Sequence, residues 1–244
     1  MYGYRARIGY TSPPIVTEVF PYEFYKMAPA GVTLVLTTLM VARHTPESGE
    51  AEESWQHSLR AAREMARAGV DIIVLGGAPV VYGGGGEGVG ERVAELSREI
   101  GVPVTDSGTA YHQADLALEA KLVGAITYAS APGAHDHLAS PGNPEHEQVR
   151  IVATKYAGEA FIDVGRIDSS LPLQMARWLK AEHPEIDTIH LGSPHWACGA
   201  IVEQVEQELG VNAVQGSQAI LWWALRSLGI EDRIDGYGRL LQEH

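Results

Sequence analysis

Gly69-Val-Asp-Ile-Ile-Val-Leu-Gly-Gly77 and Glu185-Ile-Asp-Thr-Ile-His-Leu-Gly-Ser193 are two versions of one pattern. Each is an apolar, β-branched run that ends in Leu-Gly ahead of an amphipathic stretch. Such a run reads as a strand buried on both faces, the situation of parallel sheets covered by helices. The correspondence continues downstream, where Gly101-Val-Pro-Val-Thr105 with nearby Ser107 parallels Gly210-Val-Asn-Ala-Val214 with nearby Ser217. A strand–helix–strand block is therefore expected twice, as from a duplication. Open α/β sheets place ligands just beyond the carboxyl ends of their strands, so two such blocks facing each other predict one shared cleft.

Outward from these blocks, short β-rich runs alternate with amphipathic stretches, and the class is α/β. The first half predicts strands at 7–11, 32–37, 71–75 and 102–105 and helices over 50–68, 87–100 and 108–120. The second predicts strands at 122–128, 149–154, 187–191 and 211–215 and helices over 170–182, 197–209 and 217–228. The expected division is a first lobe of residues 1–118 with 216–244 and a second of 119–215.

Composition narrows the function. The chain has 244 residues, with 18 Lys+Arg against 31 Asp+Glu and a formal charge of −13, which repels polyanions and argues against nucleic acid as a partner. With 45 % hydrophobic and 20 % charged residues it folds as an ordinary globular protein. A single cysteine, Cys198, excludes a disulfide framework and any multi-cysteine metal site, and the expected compartment is the cytoplasm. No run reaches the roughly 18 apolar residues of a membrane span, so no membrane partner is expected; a homo-oligomer is left open.

Three further features draw attention. The stretch Ala129–His146 is long and rich in Pro and Gly, and it is expected to act as a lid. Its His135, Asp136, His137, Glu145 and His146 have ligand chemistry, but their spacing favours a solvated loop, and no metal site is expected. Gly83-Gly-Gly-Gly-Glu-Gly-Val-Gly90 satisfies G-x-G-x-x-G, yet it stands too far from the preceding strand for a dinucleotide fingerprint and reads as a flexible loop above the cleft. No nucleotide or other cofactor is expected.

Leu191-Gly-Ser-Pro-His-Trp196 resembles the Leu-Gly-Cys-Thr-His-Tyr motif of glutamate racemases, with Ser193 at the position of the second catalytic cysteine. Ile8-Gly-Tyr-Thr-Ser-Pro-Pro14, Leu75-Gly-Gly-Ala-Pro79, Val205-Glu-Gln-Glu-Leu-Gly-Val211 and the terminal Gly236-Tyr-Gly-Arg-Leu-Leu241 resemble arylmalonate decarboxylases, with maleate cis-trans isomerases nearby. The resemblance is to the aspartate/glutamate racemase superfamily and spans nearly the whole chain. It implies two pseudo-symmetric Rossmann-like lobes with the active site between them. It also implies a cofactor-independent lyase or isomerase acting on a small carboxylate through an enediolate-type intermediate.

The racemases of this superfamily use two cysteines as paired acid and base, and this sequence has Gly77 at the first position and Ser193 at the second. Glycine at the first position and the pair Pro13-Pro14 match the decarboxylases, whereas the family's Thr and Ser donors are here Ala78 and Pro79. Among replacements for the missing acid, His195 comes first, because its ordinary pKa near 6.5 makes both protonation states accessible. Ser193 with His195 forms an alternative nucleophile–base pair, against which stands a capping role for Ser193 at the helix expected near Ala197. Cys198 falls in the first turn of that expected helix, where the dipole would lower a thiol pKa; the competing reading is a buried helix-face cysteine. A hydrolase using Ser193 or Cys198 with His195, and a non-catalytic carboxylate-binding protein, are the alternatives. Substrate contacts are expected from Ser12, Pro13, Pro14, Gly76, Gly77, Ala78, Tyr82, Thr127, Tyr128, Ser130 and Gly192.

Overall fold

Strand β1 (Ala6–Ser12) lies between β2 (Val32–Thr38) and β3 (Ile72–Leu75), and β4 (Val104–Asp106) completes a parallel sheet of order β2-β1-β3-β4 in the computed structural model. The second sheet repeats that order as β6 (Arg150–Tyr156), β5 (Leu122–Thr127), β7 (Thr188–Leu191) and β8 (Asn212–Gln215), again all parallel. The two Leu-Gly runs are β3 and β7, in the same place in the two sheets, and the α/β class with two like lobes is what the structure has. The residues described are 2–12, 17–39, 48–76, 89–128 and 149–244.

Helices α1 (Val19–Met27), α2 (Ser48–Arg67), α3 (Val89–Ile100) and α4 (Ser107–Ala117) accompany the first sheet. α5 (Ser170–Glu182) and α6 (Val202–Leu209) accompany the second, followed by α7 (Gly216–Ser227) and the short α8 (Arg239–Glu243). Trp55, Ala62 and Met65 of α2, with Val93 and Leu96 of α3, cover one face of the first sheet at helical spacing. Its other face, carrying Ile8, Tyr10, Ile72 and Val74, packs on Phe20 and Phe24 of α1, Ala110 and Tyr111 of α4, Trp222 of α7 and Leu240 of α8. Val214 of β8 joins the same cluster, so apolar contact is continuous from one lobe into the other. Leu173, Ala176 and Leu179 of α5 and Val202 and Val205 of α6 pack with Ile189 and Leu191 of β7.

The last strand of each sheet runs straight into a helix and supplies its cap. The Asp106 carboxylate accepts from the N–H groups of Gly108 (2.8 Å) and Thr109 (3.0 Å), while Gln215 and Gln218 form a reciprocal capping box. The tail motif ties these parts together. The Glu206 carboxylate accepts from the N–H groups of Arg239 (2.9 Å) and Ala213 (3.2 Å), and the Arg239 guanidinium donates to Asn212 Oδ1 at 2.7 Å.

Several boundaries differ from expectation. α1 was not anticipated because Pro21 interrupts its pattern, but a proline in the first turn removes only an N–H that has no intrahelical acceptor. The helix expected from Ala197 begins at Val202, after a 3-10 turn over Gly199–Ile201. The glycine loop up to 88 and the stretch 129–146 lie outside the described residues, as do Pro13, Pro14, Gly77, Ala78, Tyr82 and Ser130. Among the described residues no helix is long and apolar enough to cross a membrane.

Both Leu-Gly turns require their glycine. A Cβ on Gly76 would lie 2.3 Å from the Thr11 carbonyl oxygen and 2.4 Å from the Tyr10 hydroxyl. Gly192 has φ +39°, and a Cβ there would lie 2.7 Å from the Trp196 ring. Gly76→Ala is expected to cost about 3 kcal/mol in urea denaturation, since a backbone oxygen cannot step aside. Gly210→Ala, with φ +63° but open space around it, should cost only about 1 kcal/mol.

Candidate active site

The turn Gly192–Trp196 leaves the carboxyl end of β7 and is held from both lobes. Its entry is set by the Gly192 N–H, which donates to the Ile126 carbonyl at 2.9 Å. From the first lobe, the Tyr111 hydroxyl on α4 donates to the Gly192 carbonyl oxygen. The peptide plane then turns the Ser193 N–H the opposite way. From the start of α7, Ser217 Oγ donates to the Pro194 carbonyl at 3.0 Å, and Gln215 Nε2 donates to the Trp196 carbonyl at 3.1 Å. Within the turn, the Trp196 N–H donates to the Ser193 carbonyl at 3.0 Å, and the His195 N–H donates to Ser193 Oγ at 3.1 Å.

Ser193 thus caps its own turn rather than α6, which starts nine residues later at Val202. His195 is buried at 2 % exposure, and its ring faces Tyr10 of β1 with centroids 6.5 Å apart. Tyr10 in turn stacks on Phe20 of α1 at 3.8 Å. Residues at the carboxyl ends of the central strands of the two sheets are therefore brought together across the lobes. The Gly76 N–H donates to Thr11 Oγ1 at 2.9 Å, which fixes the first Leu-Gly turn against β1. Ser12 ends β1, Thr127 ends β5 and Tyr128 follows it; all three are buried.

Burial governs the electrostatics here. Cys198 is fully buried, and its thiol is pushed well above the ordinary value, first by burial and then by the neighbouring Glu23 charge. Of the two readings of Cys198, the helix-dipole lowering is not found, because the residue precedes the 3-10 turn and is outside α6, whereas the burial of the competing reading is. Burial also raises the Glu23 carboxyl, although its Oε2 accepts from the Gly199 N–H at 2.9 Å. The phenols of Tyr10, Tyr111 and Tyr128 are all raised, chiefly by burial, so each is a neutral donor at ordinary pH. A buried Asp115–His190 contact of 2.7 Å joins α4 to β7 beside Tyr111, whose ring centroid is 5.4 Å from that of His190.

Sequence reading missed Tyr10, Glu23, Tyr111, Asp115, His190 and Gln215. For Tyr10 a signal existed: strand alternation puts it on the same face as Ile8, two residues before the Ser12 that the motif brought forward. Nothing in the sequence paired α4 with β7. Among the described residues no group of three or more His, Cys, Asp or Glu could hold a metal ion; the histidines of 129–146 lie outside them.

Residues 8–241 match the family model of arylmalonate decarboxylase, and the chain belongs to that family. It is similar in structure to a doubly substituted arylmalonate decarboxylase in its liganded form, with TM-score 0.85 and 22 % identity over 98 % of this chain and 100 % of that one. The maleate cis-trans isomerase of Nocardia farcinica bound to TRIS gives 0.82 and 22 %, with 98 % of each chain covered. A variant of the maleate isomerase Iso from Pseudomonas putida S16 with maleate gives 0.80 and 19 %, with 97 % of each covered. These likenesses show the shared fold. No functionally curated protein matches the sequence.

Two measurements probe the interface. Asp115→Ala strands a buried imidazole and should cost about 1–3 kcal/mol in chemical denaturation, with Asp115→Asn costing less. The Glu23 carboxyl is raised above its ordinary 4.5, so its contribution to stability is fully present below that value and is lost as pH rises through the folded one. Glu23→Gln keeps an acceptor for the Gly199 N–H. It should melt higher than the parent protein near pH 7, with the difference closing as pH falls to about 4.

Proposed function

We propose that this protein is a cofactor-independent lyase or isomerase acting on a small carboxylate, with His195 as proton donor or base and Ser193 orienting substrate or intermediate. The observation that carries the reading is the gripped Leu-Gly-Ser-Pro-His turn, whose buried imidazole faces Tyr10 of the first lobe. An apolar, closed site disfavours a free carboxylate and strengthens every hydrogen bond to the enediolate that replaces it. In the lyase direction the bond to the departing carboxyl breaks, its electron pair enters the remaining carboxylate as an enediolate, and CO₂ leaves. The His195 imidazolium then delivers a proton to carbon and is recharged from solvent. Serine at position 193 argues against two-base racemisation, because a hydroxyl is far too weak an acid for that exchange.

Substrate contacts in this reading come from Ser12, Gly76, Thr127, Tyr128 and Gly192, joined by Pro13, Pro14, Gly77, Ala78, Tyr82 and Ser130. The lobes comprise 1–118 with 216–244 and 119–215, a division supported by the packing of α7 and α8 into the first lobe's core. The cytoplasm is the proposed compartment, on the evidence of a lone, buried cysteine.

A proton-NMR screen of malonates, maleate, small lactones and amides in deuterium oxide tests the chemistry. Carbon–deuterium exchange or lost CO₂ supports the reading, and ring or amide cleavage refutes it. With a substrate in hand, His195→Ala should lose roughly 10²–10⁴-fold in kcat, and Ser193→Ala should lose less. The reverse order would mark Ser193 as a nucleophile. Ser193→Cys should preserve or raise proton exchange, since the thiol stands where the family's acid does.

A further inference from the structure

Tyr10 carries a polar atom that nothing among the described residues employs. Its side chain is fully buried, and its hydroxyl makes no hydrogen bond among the described residues. Leaving a buried hydroxyl unpaired costs free energy, and replacing it by hydrogen would remove that cost. The ring is not loose: it stacks on Phe20 at 3.8 Å and 19°. The phenol tip passes directly over Gly76, whose absent side chain would sit 2.4 Å from the hydroxyl oxygen. The His195 ring lies 6.5 Å away between centroids. A donor unpaired among the described residues thus stands over Gly76 of the first Leu-Gly turn, near the imidazole carried by the second.

We propose that the Tyr10 hydroxyl is a further catalytic residue, a hydrogen-bond donor to the substrate carboxylate and to the enediolate formed from it. The assignment rests on the lyase or isomerase reading above. It answers a deficit visible in the sequence, because Ala78 and Pro79 have no side-chain donor to offer and Pro79 has no N–H. Negative charge grows on the carboxylate oxygens as the carbon–carbon bond breaks or a carbon-bound proton leaves. A donor already held in place by stacking meets that charge without reorganising. Burial raises the phenol above its ordinary value, which keeps it protonated and makes it a donor rather than a base. Tyr10 stabilises charge from one lobe while His195 moves the proton from the other.

Tyr10→Phe tests this, because the stacked ring is kept and only the oxygen is lost. In the ligand-free protein the melting temperature should stay level or rise, by on the order of 2–4 °C if the unpaired hydroxyl costs what such groups usually do. Affinity for malonate, used as the probe in titration calorimetry, should fall at least tenfold. On any substrate found by the screen, kcat should fall by about 10²–10³-fold, the usual loss for one oxyanion donor, with KM changing less. A lower melting temperature would show that the hydroxyl has a structural partner and would overturn the assignment, as would wild-type malonate affinity and turnover in Tyr10→Phe. Failure of the parent protein to bind malonate overturns it as well. If malonate binding depends on Tyr10 but the parent turns over no carboxylate, the donor site stands and the lyase or isomerase reading falls.

Discussion

Four carbonyl oxygens of the turn Gly192–Trp196 are held at once, by Tyr111 from α4, by Gln215 and Ser217 from the start of α7, and by N–H groups of Trp196 and Cys198. A turn with four carbonyls committed has few ways to move, and its side chains and the Ser193 N–H take up fixed directions. The constraint works only if the two lobes keep their mutual placement, because α4 belongs to the chain of the first sheet and the turn to the second. Other features of the interface serve that condition. The Asp115–His190 contact, the Glu23 cap on Gly199 and the shared apolar cluster reaching from Val214 to Ile8 all span the same boundary.

The repeated strand order puts two Leu-Gly turns in equivalent places, and the two are unequal. At Gly76 the neighbouring strand presses so closely that no side chain fits, and the space is filled by a phenol from the adjacent strand. At Gly192 a left-handed backbone leads into residues that carry a hydroxyl and an imidazole. One turn offers a surface and the other offers titratable chemistry. A reaction that develops charge on one side of a small molecule while moving a proton on the other is served by that inequality, whereas a symmetric two-base exchange is not.

The class, the repeated succession of strands and helices and most element boundaries were legible because buried parallel strands are written as continuous Val/Ile runs and their helices as 3.6-periodic patterns. Helix α5 falls where its spacing put it, at Ser170–Glu182. α1 was not legible because Pro21 and the aromatic residues around it mask the period, and α6 starts late because Trp196–Ile201 is spent on tight turns that local propensity does not announce. The family turn with Ser193 and His195 was readable as a motif. Its supports were not, since Tyr111 and Gly192 are 81 residues apart and Asp115 and His190 are 75 apart. Contacts at such separation are set by how two lobes dock, which no local pattern encodes.

The same docking explains why the loss of the family cysteines need not silence the site. The one cysteine of the chain stands elsewhere, and burial and the Glu23 charge push the Cys198 thiol far up. A phenol suits such an interior better. A neutral phenol donates hydrogen bonds without paying the desolvation of a charge. On the proposed reading, Tyr10 in place of a thiol gives the work to a group that stays useful when water is excluded. Exclusion of water is in turn what an unstable enediolate requires of the cleft that holds it.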